Sequence, residues 1–163
     1  MQNNYLKLDE IDIKILNLLQ KNGKLPIKAV ADAISLSQTP VYERIRKMER
    51  NGAIQKYVAL VNAEVFGKNL IVIMSMSLDK SDLENHPRIV EHLSSLPEVT
   101  ELYQTSGVYD FILKVLVSNV NEFREFLTTH IANIQGIKDV ISHIVLDNIK
   151  SSTAIELDSS LVT

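Results

Sequence analysis

The spacing of apolar residues predicts a helix, a tight turn and a second helix between residues 26 and 51. Pro26 suits a first helical position, and the apolar residues after it recur at i, i+3, i+4 and i+7 from Ile27, so they share one face. Ser35 then breaks this period, and Ser37 can cap the second helix. The pattern therefore predicts a helix-turn-helix unit.

The second helix has one apolar face and one polar, mostly basic face. Its apolar residues Val41, Ile45 and Met48 lie at i, i+4 and i+7 and so face the core. The residues that point away from the core are Thr39, Glu43, Arg46, Lys47 and Arg50. An exposed basic helix after a tight turn is typical of a DNA-recognition helix, whereas the alternative is two ordinary amphipathic helices of a bundle.

A further helix precedes this unit, and a strand-like segment follows it. Asp9 can cap the first helix with Asp12 at the third helical position, and Gly23 marks its end. The segment Ile54–Leu60 is rich in strand-forming residues. We therefore predict a winged-helix-like domain at residues 1–60 and a linker at residues 61–68.

From residue 69 onward the pattern changes to alternating strands and helices. The predicted strands are Leu70–Leu78, Val99–Gln104, Tyr109–Val117 and Ile137–Leu146, and the predicted helices are Pro87–Leu96 and Asn121–Ile134. This βαββαβ order is that of the ferredoxin-like fold, an antiparallel sheet with both helices on one face. The chain is thus predicted to be α+β, with a second domain at residues 69–163 and a short edge strand at Thr153–Leu157.

The last long strand is apolar on both of its faces. One face carries Val140, Ile144 and Leu146, and the other carries Ile141, Val145 and Ile149. Two helices on the same side of a sheet cover only one face, so the other would expose a large apolar patch. The pattern therefore predicts that a second copy of the chain covers it.

Charge is divided unevenly between the two predicted domains. Residues 1–60 hold ten Lys and Arg against six Asp and Glu, whereas residues 61–163 hold seven against fourteen, within a net charge of −3. A basic small domain beside an acidic one suggests that only the first meets a polyanion. A module that only binds a ligand or only oligomerises would not need the basic cluster on the second helix of the turn unit.

Several other classes of protein are disfavoured by composition. The chain has no cysteine, its amino terminus lacks an apolar export segment, and no run of 18 apolar residues occurs, so we expect a cytoplasmic protein without a membrane partner. Four scattered histidines have no metal-ligand spacing, and no phosphate loop, nucleophile elbow or carboxylate pair is present. We therefore predict no metal, no cofactor, no catalytic residue and no enzymatic activity.

Five segments give the chain a resemblance to a known family. They are LDEIDIKILNLLQKNGK at 8–24, AVADAISLSQTPVYERIRKMERNGAI at 29–54, Gly67, SGVYDFILKV at 106–115 and IVLDNIK at 144–150. Together they resemble the Lrp/AsnC, or feast/famine, family of transcription regulators. Lys24 and Ser35 depart from the family pattern, which has Arg and Gly there, and a non-Gly residue in a left-handed turn costs ~1 kcal/mol.

The resemblance implies an amino-terminal domain that binds double-stranded DNA and a carboxy-terminal domain that dimerises, in some members as an octamer of four dimers. The DNA-binding candidates are Ser37, Gln38, Thr39, Tyr42, Glu43, Arg44, Arg46, Lys47 and Arg50. We expect the early residues to read base edges and the later basic ones to grip phosphate. Arg44 has two possible roles, because it can contact the DNA backbone or tie the helix to its own domain.

The resemblance also implies an amino acid as effector, bound near the loop between the second and third strands. The candidates are Tyr103, Gln104, Thr105, Gly107, Tyr109 and Asp110. Gly107 would allow close backbone approach, and Asp110 would accept from an ammonium group. Two alternatives stay open: a regulator without an effector, in which Gly107 and Asp110 only shape a hairpin, and an enzyme that resembles the sirohaem decarboxylases.

Overall fold

The computed structural model describes residues 8–79 and 83–157, and these residues form two units. The first unit contains residues 8–60 together with 150–157, and the second contains the described residues between 61 and 149. The second unit begins at Val61. The end of the chain differs, because residues 150–157 make their contacts with the first unit.

Three helices build the first unit, namely α1 (Glu10–Lys21), α2 (Ile27–Ala33) and α3 (Gln38–Arg50). The predicted cap of α1 is confirmed in both directions: the Asp12 backbone N–H donates to Asp9 at 2.9 Å, and the Asp9 N–H donates to Asp12 at 3.1 Å. Such a reciprocal pair satisfies two backbone donors that a helix start leaves unpaired. The beginning of α1 is therefore fixed by local sequence.

The predicted apolar faces meet in one core. Its buried members are Ile15, Leu16, Val30, Ala31, Val41, Ile45 and Met48. The turn between α2 and α3 has Ser35 in the left-handed region at φ 58°, as predicted for this position. Ser37 is the N-cap residue of α3, but its hydroxyl makes no capping hydrogen bond. Pro26 is also one position earlier than expected, since it is the N-cap of α2.

Two short strands predicted from the sequence, one for each domain, are wrong. Neither Ile54–Leu60 nor Thr153–Leu157 forms a strand among the described residues. An extended segment becomes a strand only when a neighbour pairs with its backbone, and the carboxy-terminal segment pairs with side chains of α1 instead. The Gln20 amide donates to the Ile155 carbonyl at 3.1 Å and accepts from the Ile155 N–H at 2.8 Å.

The second unit has a four-stranded antiparallel sheet and two helices. Its strands are β1 (Leu70–Leu78), β2 (Val99–Gln104), β3 (Phe111–Val117) and β4 (Ile137–Ile144), and its helices are α4 (His86–Ser95) and α5 (Val120–Phe126). The strand order is β2-β3-β1-β4, so the predicted βαββαβ topology is confirmed. The predicted long second helix is wrong in its length, because α5 gives way to a π-helical turn at Leu127–Ile131.

One face of the sheet packs on the helices, and the other is open. The buried sheet residues are Val72, Met74, Met76, Leu78, Phe111, Leu113, Val115 and Val117, and they contact Ile89 and Leu93 of α4 and Phe123 and Phe126 of α5. Strand β4 lies at an edge and stays exposed on both faces. Its residues Val140, Ile141 and Ile144 are 36%, 41% and 46% exposed.

Candidate functional site

The outer surface of α3 displays almost all of the predicted DNA-binding residues. Val41, Ile45 and Met48 are buried in the first unit and so fix the rotation of the helix about its axis. The exposed residues are Ser37, Gln38, Thr39, Tyr42, Glu43, Arg46, Lys47 and Arg50. The side chains of Gln38, Thr39, Lys47 and Arg50 have no hydrogen bond or ion pair within the described part of the chain. They are therefore free to contact a ligand.

Arg44 is the exception, because its guanidinium group bonds to the start of α1. Its Nη1 atom lies 2.6 Å from Asp9 Oδ2 and 2.7 Å from Asp12 Oδ1. Asp12 is only 3% exposed, whereas the Arg44 side chain is 29% exposed. Of the two roles that the sequence leaves open for Arg44, the structure shows the one within its own domain. A DNA contact of Arg44 stays a prediction.

The electrostatics of this cluster agree with its geometry. Hydrogen bonding to Asp12 is the main cause that raises the pKa of Arg44. Burial alone would raise the pKa of Asp9, but the Asp12 N–H and the Arg44 guanidinium together outweigh it and lower that pKa. The cluster thus holds its charged forms and fastens α3 to α1.

Arg46 is held by neighbours on the surface of α3. Its guanidinium carbon lies 5.6 Å from the centre of the Tyr42 ring, its Nε atom donates to Tyr42 Oη at 3.2 Å, and its Nη1 atom lies 3.2 Å from Glu49 Oε2. Glu49 also accepts from the Tyr57 hydroxyl at 3.1 Å. Sequence reasoning missed Glu49 and Tyr57. The i,i+3 spacing of Arg46 and Glu49 could have revealed the first.

The second unit contains a cleft of about 790 Å³ at the end of β1. Three residues of the predicted effector group line it, namely Gly107, Tyr109 and Asp110. Tyr103, Gln104 and Thr105 are not among its lining residues, so half of the predicted group lies elsewhere. The lining residues that sequence reasoning missed are Ser77, Leu78, Asp79, Val108, Lys138, Asp139, Val140 and Ile141. The adjacency of β1 and β4, which follows from the βαββαβ order, is the signal that could have located most of them.

Asp110 shapes the loop as well as lining the cleft. Its Oδ2 atom accepts from the Leu78 N–H at 2.7 Å, and its own N–H donates to the Met76 carbonyl at 2.8 Å. Thr105 closes the loop from the other side, because its N–H donates to the Asp110 carbonyl and its hydroxyl to the Tyr109 carbonyl. The carboxylate of Asp110 is therefore partly engaged in holding the hairpin.

Gly107 borders open space. A Cβ atom built at this position meets no atom within 4 Å among the described residues, and its backbone is outside the left-handed region. The close approach of a ligand to this backbone stays a prediction. Open space at Gly107 belongs to the cleft, so a side chain placed there would enter it without disturbing the hairpin.

The cleft offers groups of both charges beside an apolar wall. Lys138 has no hydrogen bond or ion pair within the described residues, whereas Asp139 accepts from the Ser77 hydroxyl at 3.0 Å. Val140 and Ile141 supply exposed apolar surface next to them. An ammonium donor, carboxylate acceptors and an apolar wall are the groups that a bound zwitterion needs.

Two searches of the described residues bear on other functions. Between residues 8 and 157, outside the gap at 80–82, no three His, Cys, Asp or Glu side chains cluster as metal ligands. Within the same ranges, no helix has the length and apolar character to cross a bilayer.

Comparison with known proteins identifies both units. Residues 8–49 match the AsnC-type helix-turn-helix domain, and residues 71–155 match the Lrp/AsnC ligand binding domain. The chain is 33% identical to the leucine-responsive regulatory protein of Haemophilus influenzae, over 92% of this chain and 90% of that protein. The chain belongs to the Lrp/AsnC family. The predicted family and fold class are confirmed.

Solved structures of Lrp/AsnC proteins agree with the whole described fold. An AsnC family transcriptional regulator from Agrobacterium tumefaciens is 34% identical and superposes with a TM-score of 0.87, over 91% of this chain and 97% of that one. A transcriptional regulator from Neisseria meningitidis, solved as a complex with L-Met, is 28% identical with a TM-score of 0.89, over 93% and 97% of the two chains. These relatives favour the regulator over the alternative of an enzyme that resembles the sirohaem decarboxylases.

Proposed function

We propose that this Lrp/AsnC protein is a sequence-specific DNA-binding transcription regulator whose DNA binding responds to an amino acid in the cleft of its second unit. The observation that carries the proposal is the exposed face of α3. It presents polar side chains at its start and basic ones at its end, and Gln38, Thr39, Lys47 and Arg50 have no partner within the described chain. This distribution suits a helix that enters the major groove by its amino-terminal end.

The polar and basic parts of α3 have different roles in this proposal. Gln38, Thr39, Tyr42 and Glu43 read base edges in the major groove, where Gln can form a bidentate pair with adenine. Arg46, Lys47 and Arg50 contact phosphate oxygens and fix the register of the helix on the duplex. Affinity therefore comes mainly from the basic residues, and sequence preference comes mainly from the polar ones.

Replacing Arg50 by Ala is expected to weaken binding to all DNA sequences alike. Loss of one phosphate contact should reduce the slope of log affinity against log salt concentration by about one unit. Replacing Gln38 by Ala should instead relax base preference at one position, at a cost of ~1–3 kcal/mol for the preferred sequence. Fluorescence anisotropy titrations at several salt concentrations, on selected and scrambled duplexes, measure both effects. An Arg50→Ala loss confined to one base position would contradict the assigned role.

Self-association is part of the proposal because, among the described residues of the second unit, no element packs on one side of the sheet. The open face and the β4 edge expose Ile141 and Ile144, and beyond the strand Leu146 and Ile149 are 96% and 86% exposed. A two-fold pairing of two copies would bury this surface and would present two α3 helices to successive major grooves. The family resemblance supports the further step from dimers to an octamer of four dimers.

The effector is proposed to be an α-amino acid. Lys138 is placed to bind its carboxylate, and Asp139 and the remaining oxygen of Asp110 are placed to accept from its ammonium group. The solved complex of the Neisseria meningitidis relative with L-Met supports an amino acid as the ligand class. An amino acid that binds one assembly state more tightly than another shifts the equilibrium between the two states. The size of this shift is set by the ratio of its affinities for them.

Replacing Gly107 by Val is expected to abolish the effector response without unfolding the protein. The added side chain enters open cleft space, and the backbone at Gly107 needs no left-handed conformation. The test measures the melting temperature of wild type and Gly107→Val with each of the twenty amino acids at millimolar concentration. Wild type should be stabilised by at least one amino acid, and the variant by none.

Gly107→Ala is the matched control, since it changes the same backbone position and fills less of the cleft. It should keep most of the response of wild type. Asp110→Ala is a poorer test because it also removes the acceptor of the Leu78 N–H. If no amino acid moves the melting temperature of wild type, the effector proposal fails while the DNA-binding proposal stands.

A further inference from the structure

We propose that Glu49 is a positioning residue that holds Arg46 in the conformation that grips phosphate, and that Tyr57 couples the segment after the helix-turn-helix to this pair. The inference rests on the proposed contact between Arg46 and DNA. It assigns a role to an acidic residue on a surface that meets a polyanion, where a carboxylate would otherwise only repel the ligand.

The contacts of Arg46 constrain its side chain from two sides. The Tyr42 ring lies under the guanidinium at 5.6 Å and its hydroxyl accepts from Nε, while Glu49 accepts from Nη1. All three residues lie on α3 at spacings of three and four, so they share one face of the helix. An arginine that is already ordered loses less conformational freedom when it binds.

Glu49 is itself held by a residue outside α3. Its second carboxylate oxygen, Oε1, accepts from the Tyr57 hydroxyl at 3.1 Å. The Tyr57 ring lies against Gly23, where an added Cβ atom would be 3.2 Å from its Cδ1 atom. Together these residues line a shallow groove with Leu19 and Leu25. The Tyr57 ring thus has a defined packing position on the domain. Its hydroxyl bonds the Glu49 oxygen that does not pair with Arg46.

Stability is a poor explanation for this arrangement. Arg46 and Glu49 form an ion pair with side chains 55% and 28% exposed, and exposed pairs contribute little to the free energy of unfolding. The geometry of this ion pair matters more for the proposed contact between Arg46 and a DNA phosphate. Because each Glu49 oxygen has a different partner, a shift of the segment that carries Tyr57 would change how Arg46 is held.

The test separates positioning from charge by comparing Glu49→Gln with Glu49→Ala in the full chain. Both variants remove the negative charge, but only Gln keeps an oxygen that can accept from Arg46. Affinity for a DNA duplex is measured by anisotropy at fixed salt, with melting temperatures to verify folding. Glu49→Gln is expected to bind about fivefold more tightly than Glu49→Ala, the effect of about one hydrogen bond.

The same pair of variants is then made with Arg46→Ala, where the difference between Gln and Ala at position 49 should vanish. Tyr57→Phe keeps the ring and removes the hydroxyl, so it should weaken binding about twofold in wild type and have no effect beside Glu49→Ala. A difference between Gln and Ala that persists without Arg46, or a Tyr57→Phe effect that persists without Glu49, would overturn the inference.

Two further outcomes distinguish this inference from the proposal beneath it. If Arg46→Ala weakens binding but the Gln and Ala variants at position 49 bind equally, the phosphate contact stands and the positioning role fails. If Arg46→Ala leaves affinity unchanged, both the phosphate contact and the positioning role fail. If Glu49→Gln and Glu49→Ala bind DNA equally well and both bind it more tightly than wild type, Glu49 acts only as a repelling charge and the positioning role fails.

Discussion

Replacing Arg44 by Met is expected to destabilise the helix-turn-helix domain by about 2–3 kcal/mol. Removal of the guanidinium leaves Asp12, which is 3% exposed, without its cationic partner. Breaking a fully buried ion pair costs ~3–5 kcal/mol, and the partial exposure of Arg44 reduces that value. Urea unfolding of the full chain, monitored by the helical circular dichroism signal, measures the loss.

Arg50→Met is the matched control, because it removes the same charge from the exposed face of α3. Its effect on the free energy of unfolding should stay within about 0.5 kcal/mol. Adding Asp12→Asn to Arg44→Met should restore part of the lost stability, since the uncompensated charge is then absent. Equal stability of the Arg44 and Arg50 variants would contradict the assigned role of Arg44.

The same cluster makes a pH-dependent contribution to stability. The pKa of Asp9 in the folded chain is below its ordinary value of 3.8. A carboxyl group with a lowered folded pKa stabilises the protein above its unfolded pKa, and this contribution disappears as pH falls through the folded pKa. The difference in stability between wild type and Arg44→Met should therefore narrow below about pH 3.8.

Replacing Ile141 by Lys is expected to dissociate the proposed dimer. Ile141 faces the open side of the sheet beside Ser75 and is already 41% exposed, so the change should not unfold the subunit. Each copy would bring one unpaired ammonium group to the buried apolar interface, and at a cost of about 3 kcal/mol for each group the dissociation constant should rise by more than about 100-fold. Sedimentation velocity across a concentration series measures the shift from dimer to monomer.

Val120→Lys provides the control for this experiment. Val120 is 58% exposed at the start of α5, which packs on the other face of the sheet. The same added charge there should leave the oligomeric state unchanged. If Ile141→Lys sediments like wild type at low micromolar concentration, the open sheet face is not the interface between copies.

The elements that sequence predicted well are those set by local chemistry. The capping box of Asp9 and Asp12 and the apolar stripe of α3 depend on residues within a few turns of one another. The four strands of the second unit can be predicted because each is a short run rich in apolar and β-branched residues, and their order along the chain then indicates the sheet topology. A strand prediction is wrong where strand formation depends on a pairing partner that is absent. This is the case at Ile54–Leu60, which has no neighbouring strand among the described residues.

In the two candidate sites, too, features set by local sequence are predictable and contacts between distant residues are not. Exposure of the α3 face follows from helical geometry, so it could be predicted from sequence alone. The pairing of Arg44 with Asp9 spans 35 positions, and the cleft joins the end of β1 to Lys138 and Asp139 some 60 residues later. No local pattern encodes contacts at such separations. The structure therefore shows the pairing of Arg44 within its own domain, and the cleft is lined by three of the six predicted effector residues.

Selection of bound sequences from random DNA, with and without a mixture of the twenty amino acids, tests the central claim most directly. We expect enrichment of one motif with two half-sites related by two-fold symmetry, centred about 10 base pairs or a multiple of it apart. We also expect the amino acids to change the degree of enrichment. Recovery of DNA with no enriched sequence under either condition would contradict the claim that α3 reads bases.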